Sequence, residues 1–176
     1  MAGMDLSPIR YAAVPALGLW LAACSAVPPA SPAAPRVDPQ QRLAAVHAAG
    51  GADDTELSVQ PLRDPQVEDL RTLAARALAA GDTAAAAAAL DQALELVPDD
   101  PALLQERAEV ALLQERYDQA ETLARRAFDL GSKVGPLCRR HWATIEQARE
   151  ARNEPENVAS ARAQREACTV PGVIRY

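Results

Sequence analysis

Residues 67–100 read VEDLRTLAARALAAGDTAAAAAALDQALELVPDD, and residues 101–134 follow the same plan as PALLQERAEVALLQERYDQAETLARRAFDLGSKV. The two stretches fall into register at a period of about 34 residues, which marks an internal structural repeat. In the first, Leu70, Leu73, Ala74 and Ala77 recur at helical spacing. Gly81-Asp82 turns the chain, Ala86, Leu90 and Ala93 line a second helix, and Pro98 ends it. In the second, Leu104, Ala108 and Ala111 mark the first helix and Glu115-Arg116-Tyr117 the turn. Ala120, Ala124 and Ala127 mark the second helix, and Gly131 stops it. The alanine run Ala84 to Ala89 has the highest helix propensity available and fits the same register.

Helix starts punctuate the chain on either side. Asp-Pro occurs at 38–39, 64–65 and 100–101. Asp at an N-cap followed by Pro at the first helical position is a start signal. A short helix is therefore predicted from Pro39 to Ala49, stopped by Gly50-Gly51; Glu56 to Leu62 reads as extended, either a packed arm or a disordered segment, and completes 39–66. After the repeats, Val134, Cys138, Trp142 and Ile145 form a helical stripe. Asn153-Glu154-Pro155 breaks it, and Val158, Ala161 and Ala163 to Cys168 supply another helix. Residues 135–168 are predicted as a degenerate third helical hairpin that caps the stack, because a repeat buries its apolar face only against a neighbour. Residues 169–176 are left as a tail.

The 67–134 pattern resembles the tetratricopeptide repeat (TPR). Ala74, Ala86 and Ala93, and Ala108, Ala120 and Ala127, match its small positions, while Leu70, Leu90 and Pro98 match its large and terminating ones. Arg107 stands where a large apolar residue is usual, and Ser132 where Pro is usual. The resemblance implies an all-α fold, a short helical solenoid of antiparallel hairpins. It also implies a concave groove lined by the first helix of each repeat, in which partner peptides lie. By position that groove consists of Glu68, Arg71, Ala75 and Leu78, then Gln105, Glu109 and Leu112, then Arg139 and Glu146 from the cap. Ala75 and Glu109 occupy the Asn position of the carboxylate clamp found in chaperone-linked members, so that activity is not implied.

Upstream, the apolar run Tyr11 to Leu21 follows Arg10 and ends in Leu21-Ala22-Ala23-Cys24. A short n-region, an apolar core and small residues before a cut form a signal peptide. The segment resembles the lipobox of bacterial lipoproteins. That resemblance implies removal of residues 1–23 and lipidation of Cys24 with a diacylglyceryl group plus an N-acyl chain such as palmitate. Ser25 in place of Asp implies outer-membrane sorting, with the domain facing the periplasm. Residues 24–38 are rich in Pro and Ala and read as an extended linker. At ~3.1 Å per residue it spans roughly 35–45 Å.

Candidate chemistry is sparse. No serine elbow, phosphate-binding glycine loop or metal-ligand spacing is present, and no enzyme activity, metal or cofactor is expected. The formal net charge of −6 argues against a nucleic-acid partner. Cys138 and Cys168 lie at neighbouring ends of the predicted third hairpin, within reach of a disulfide in an oxidising compartment; the alternative is two free thiols. Cys138 and His141 sit one helical turn apart, but a disulfide would consume the thiol. Arg125, Arg126, Lys133, Arg139 and Arg140 stand against Asp129 alone in 125–140.

The expected function is that of a membrane-anchored periplasmic scaffold or adaptor, binding a peptide segment of an envelope protein. TPR lipoproteins serve pilus secretin assembly, outer-membrane protein assembly and cell-wall synthesis. The alternative is a passive structural lipoprotein that touches peptidoglycan through its basic turn.

Overall fold

The computed structural model describes residues 36–51 and 64–169. The expected leader, Cys24, most of the linker, the arm over Glu56 to Leu62 and the tail from Val170 onward lie outside the described residues. Within them the chain forms seven helices: α1 (Pro39–Gly50), α2 (Pro65–Ala79), α3 (Thr83–Leu96), α4 (Pro101–Leu113), α5 (Tyr117–Leu130), α6 (Pro136–Ala151) and α7 (Pro155–Ala167). The all-α expectation holds.

Each Asp-Pro pair starts a helix as its chemistry requires. The Asp38 carboxylate accepts from the Gln40 amide at 2.7 Å, Asp64 from Gln66 at 2.8 Å, and Asp100 from Ala102 at 2.7 Å. Asp82 caps α3 through the Ala85 amide at 2.8 Å. These carboxylates satisfy amides that the helix leaves orphaned, and they oppose the positive end of its dipole.

Six of the helices pair as hairpins, α2 with α3, α4 with α5 and α6 with α7, and successive hairpins stack through α3 on α4 and α5 on α6. All three hairpin turns are closed in the same way. The Asp82 amide donates to Ala77 O at 2.9 Å, Arg116 to Ala111 O at 2.9 Å, and Glu154 to Arg149 O at 3.1 Å. Each bond needs a left-handed residue just before it, and Gly81 (φ 78°), Glu115 (φ 58°) and Asn153 (φ 59°) supply it. The third hairpin thus keeps the turn geometry after losing most of the sequence pattern.

Alanine sets the packing distance. Ala86, Ala93, Ala108, Ala120, Ala124 and Ala127 are all fully buried at helix contacts, where their size lets backbones approach closely. In the run Ala84 to Ala89, Ala86, Ala87 and Ala89 face inward while Ala84, Ala85 and Ala88 face solvent. Arg107 is buried where the repeat usually places an apolar side chain, and its Nε donates to Asp91 of α3 at 2.7 Å. Ser132 replaces the usual Pro by a side-chain turn, its hydroxyl donating to Val134 O at 2.9 Å.

At the far end Trp142 packs edge-on against Phe128, with ring centroids 5.0 Å apart. Cys138 and Cys168 are joined in a disulfide across the α6–α7 hairpin, with Cα atoms 5.7 Å apart. Val134 departs from the predicted stripe. It lies before the first turn of α6 and is exposed, because Gly135 with φ 91° redirects the chain there.

Candidate functional site

The first helices of the hairpins, α2, α4 and α6, face a common concave side. α1 lies there too, packed on α4 and α6. It carries one fully buried side chain, Val46, which joins Ala111, Leu112, Ala143 and Ala148 in a small apolar cluster. Burying that valine contributes roughly 1.5–3 kcal/mol. Polar contacts complete the seat. Arg42 donates to Gln147 O at 3.1 Å and stacks 6.0 Å from the Tyr117 ring. His47 Nε2 meets Glu109 at 3.0 Å. Arg139 donates to Ala49 O at 3.1 Å and Gly50 O at 2.7 Å, covering orphan carbonyls at the helix end. Gly50 permits a close approach: a Cβ there would sit 3.1 Å from Cγ and Cδ of Arg140, a contact tight enough that the arginine side chain would have to shift.

Between α1 and α2, above α4, a cleft of about 390 Å³ remains open. Its floor is apolar, with Ala74, Leu78, Leu90, Val110 and Leu113. Its rim is charged. Arg71 Nε donates to both Glu106 oxygens at 3.1 and 3.0 Å, and its Nη1 to Glu68 at 3.0 Å. The Glu106 bonds lead, against the opposing effect of burial, in fixing the Arg71 guanidinium in its charged form. The backbones of α2 and α4 lie apart, and this ion pair joins the two helices across the gap.

Opposite, burial pushes the Glu109 carboxyl up, but His47, Arg140 and Gln105 more than offset this and hold it below the usual carboxylate range. Behind Glu109 a polar chain enters the core. Gln105 Nε2 donates to Glu109 and to Thr144 Oγ1, both at 2.8 Å. With its amide nitrogen so engaged, Gln105 offers its oxygen to His141 Nδ1 at 2.7 Å. His141 is fully buried, and burial lowers its pKa to about 4.

The predicted groove residues thus separate into three sets. Glu68, Arg71, Ala75, Leu78 and Glu109 come together around the cleft. Gln105 and Leu112 are fully buried, the first in the polar chain and the second beneath α1. Arg139 holds the end of α1, and Glu146 turns to α7, where Arg162 and Arg165 each donate to it at 2.9 Å. Sequence reasoning missed Leu43 and His47 of α1, and also Thr72, Glu106, Leu113 and Arg140. Thr72 and Glu106 occupy equivalent positions in the two repeats, so the period itself held that signal. Nothing in the sequence of α1 marked it as a wall of the cleft.

The cations of 125–140 are engaged internally. Arg125 pairs with Glu121, Arg126 with Asp99 and Arg140 with Glu109, while Lys133 donates to the Asp129 carbonyl at 3.0 Å. Cys138 is held in its disulfide and His141 points to Gln105, so the two do not form a nucleophile pair.

The Tetratricopeptide repeat family model matches residues 77–130. Among solved structures, the globular C-terminal domain of P. aeruginosa LpoP is similar to this chain at 32% identity and a TM-score of 0.57. The likeness covers 60% of this chain and 99% of that domain. No curated protein matches the sequence. With the period, the hairpin turns and these likenesses in agreement, the chain belongs to the tetratricopeptide repeat family.

Proposed function

We propose that this chain is an envelope adaptor, a helical protein-interaction domain without catalytic activity that binds a peptide segment of a partner protein in the cleft between α1, α2 and α4. In this reading Cys24 carries the lipid, the Pro/Ala linker spaces the domain from the outer membrane, and the cleft faces the periplasm. Tethering raises the effective concentration of the cleft towards partners in the same layer.

The observation that carries the reading is the cleft itself. An apolar floor of Leu78, Leu90, Val110 and Leu113 lies inside a rim of Glu68, Arg71, Glu106, Glu109 and Arg140. Such a floor takes an aliphatic side chain of a peptide, and the rim takes its flanking polar groups. The likeness to the LpoP domain supports a bacterial envelope setting. The engagement of Arg125, Arg126, Arg140 and Lys133 within the fold leaves the peptidoglycan-contacting alternative without a supporting observation.

The test is site-specific photo-crosslinking in the native cell from Thr72, Ala75 and Leu113, with mass spectrometry of the adducts. One protein recovered from all three positions supports the adaptor. Cell-wall fragments alone, or no discrete adduct from any of them, overturn it.

A further inference from the structure

α1 is the odd helix of this fold. Every other described helix has a hairpin partner; α1 has none and rests on α4 and α6 alone. It lies on the concave side, where the preceding section places a partner's peptide. It has its own start, the Asp38 cap with Pro39, and its own stop, Gly51 at φ 80°. We propose that α1 is an intramolecular ligand of the repeat groove, occupying its α4–α6 half and exposing that half to a partner only when it leaves. The proposal rests on the adaptor reading for its biological sense, although the docking and release of α1 stand without it.

The seat has the character of a reversible complex. A single fully buried apolar anchor, Val46, enters a cluster of Leu112 and four alanines. Beyond Val46 and the partly buried Ala49, the contacts are polar: His47 on Glu109, the buried Arg42 on Gln147 and Glu150, and Arg139 on the carbonyls of Ala49 and Gly50. Nine of the twelve residues from Pro39 to Gly50 face solvent or lie only partly covered, among them Leu43, which lines the cleft. The central helices α3 and α4 present a different picture, with α3 alone burying Ala86, Ala87, Ala89, Leu90 and Ala93.

The occupant also defines what replaces it. The groove meets α1 with an acid, Glu109, beside an apolar cluster, and with further acceptors at Gln147 and Glu150. A partner helix that enters this half offers a basic residue, a small aliphatic one a turn later and a hydrogen-bond donor next to it, as Arg42, Val46 and His47 do. With α1 gone, the cleft over α2 and α4 and the vacated seat over α4 and α6 form one continuous site. Covalent connection keeps α1 at a high effective concentration, so a partner competes with it rather than finding an empty groove.

The test uses the full chain carrying Val46→Glu, which places a charge in the apolar seat. The probe is a fluorescent synthetic peptide of residues 36–51, with the same peptide carrying Val46→Glu as control. The expected result is saturable binding of the first peptide to the variant, at least about tenfold tighter than to the unaltered chain, and none of the control. Equal binding to both chains overturns the proposal, as does no binding to a variant that keeps its helical circular dichroism.

Hydrogen exchange on the unaltered chain decides the matter if the variant does not fold. Amides of 43–49 should exchange at least about tenfold faster than those in the middle of α4 and α6, through local opening; equal protection overturns the proposal. Peptide binding without any crosslinked partner at the cleft defeats the adaptor reading alone, and a crosslinked partner without peptide binding defeats the self-occupied groove alone.

Discussion

Arg107 of α4 and Asp91 of α3 meet at 2.7 Å, joining the first repeat to the second at a position where the family stacks apolar surface. The guanidinium is buried, while Asp91 is 55% exposed and reaches in from the edge. A charge so placed depends on its partner more than the pair contributes as a whole.

Asp91→Ala therefore destabilises the fold by about 1–3 kcal/mol, because it leaves a buried guanidinium without its acceptor. Arg107→Leu, which restores the apolar residue of the repeat, changes stability by less than about 1.5 kcal/mol. Urea denaturation of the two variants checks the ranking, and an Asp91→Ala chain as stable as Arg107→Leu would refute this account of the pair.

The disulfide ties residues 30 apart in sequence. Chain-entropy arithmetic for a loop of that size gives about 3.5 kcal/mol. Cys138→Ala together with Cys168→Ala should lower the unfolding free energy by about 2–4 kcal/mol while the α2–α5 helices keep their protection in hydrogen exchange. Loss of protection in α2 and α3 as well would show that the stack melts as a single unit instead.

Gly81 and Glu115 hold the same left-handed position in successive repeats. No neighbour lies near a Cβ built on Gly81, so Gly81→Ala introduces backbone strain alone, worth about 1 kcal/mol. Glu115→Gly relieves the same strain and raises the melting temperature slightly, since the glycine also loses entropy on folding. Opposite signs in one calorimetric series verify the assignment.

Acid should act in two windows. His141 has its pKa lowered from 6.5 to about 4 by burial first and by the charge of Arg140 second. The unfolded chain thus binds this proton before the folded one, and stability falls as pH drops from 6.5 towards 4. Glu121 follows. Burial opposes its ionisation, but hydrogen bonds from Arg149, Arg152 and Arg125 bring its pKa from 4.5 to about 2. Its contribution is present above 4.5 and lost as pH falls from there towards 2. His141→Gln should flatten the first window in a melting-temperature profile and leave the second. A profile unchanged above pH 4.5 would remove His141 from this role.

The parts of the fold that were legible in the sequence are those that local chemistry dictates. Asp-Pro starts, the Gly81 turn and the recurrence of alanine each state a backbone requirement, and together they define the hairpins. The Cys138–Cys168 bridge followed from hairpin geometry once the third unit was recognised. The groove was only partly legible. Position in the repeat places Glu68, Arg71, Ala75, Leu78 and Glu109 on one side, where they line one cleft, but it does not register that α1 covers Leu112 or that Arg162 and Arg165 draw Glu146 towards α7. Those outcomes depend on contacts far apart in sequence. α1 itself announces nothing, because it docks through one valine and a few polar groups and carries no apolar stripe.

The two ends of the stack are unequal. At one, the disulfide and Trp142 close the last hairpin. At the other, α2 and α3 lie outside this closure and leave Leu73 and Leu96 about half exposed. A solenoid comes apart by losing neighbours one at a time, so this one has a direction. Heat or a pulling force peels it from the first hairpin inward, and the segment sealed by Cys138 and Cys168 is the last to let go.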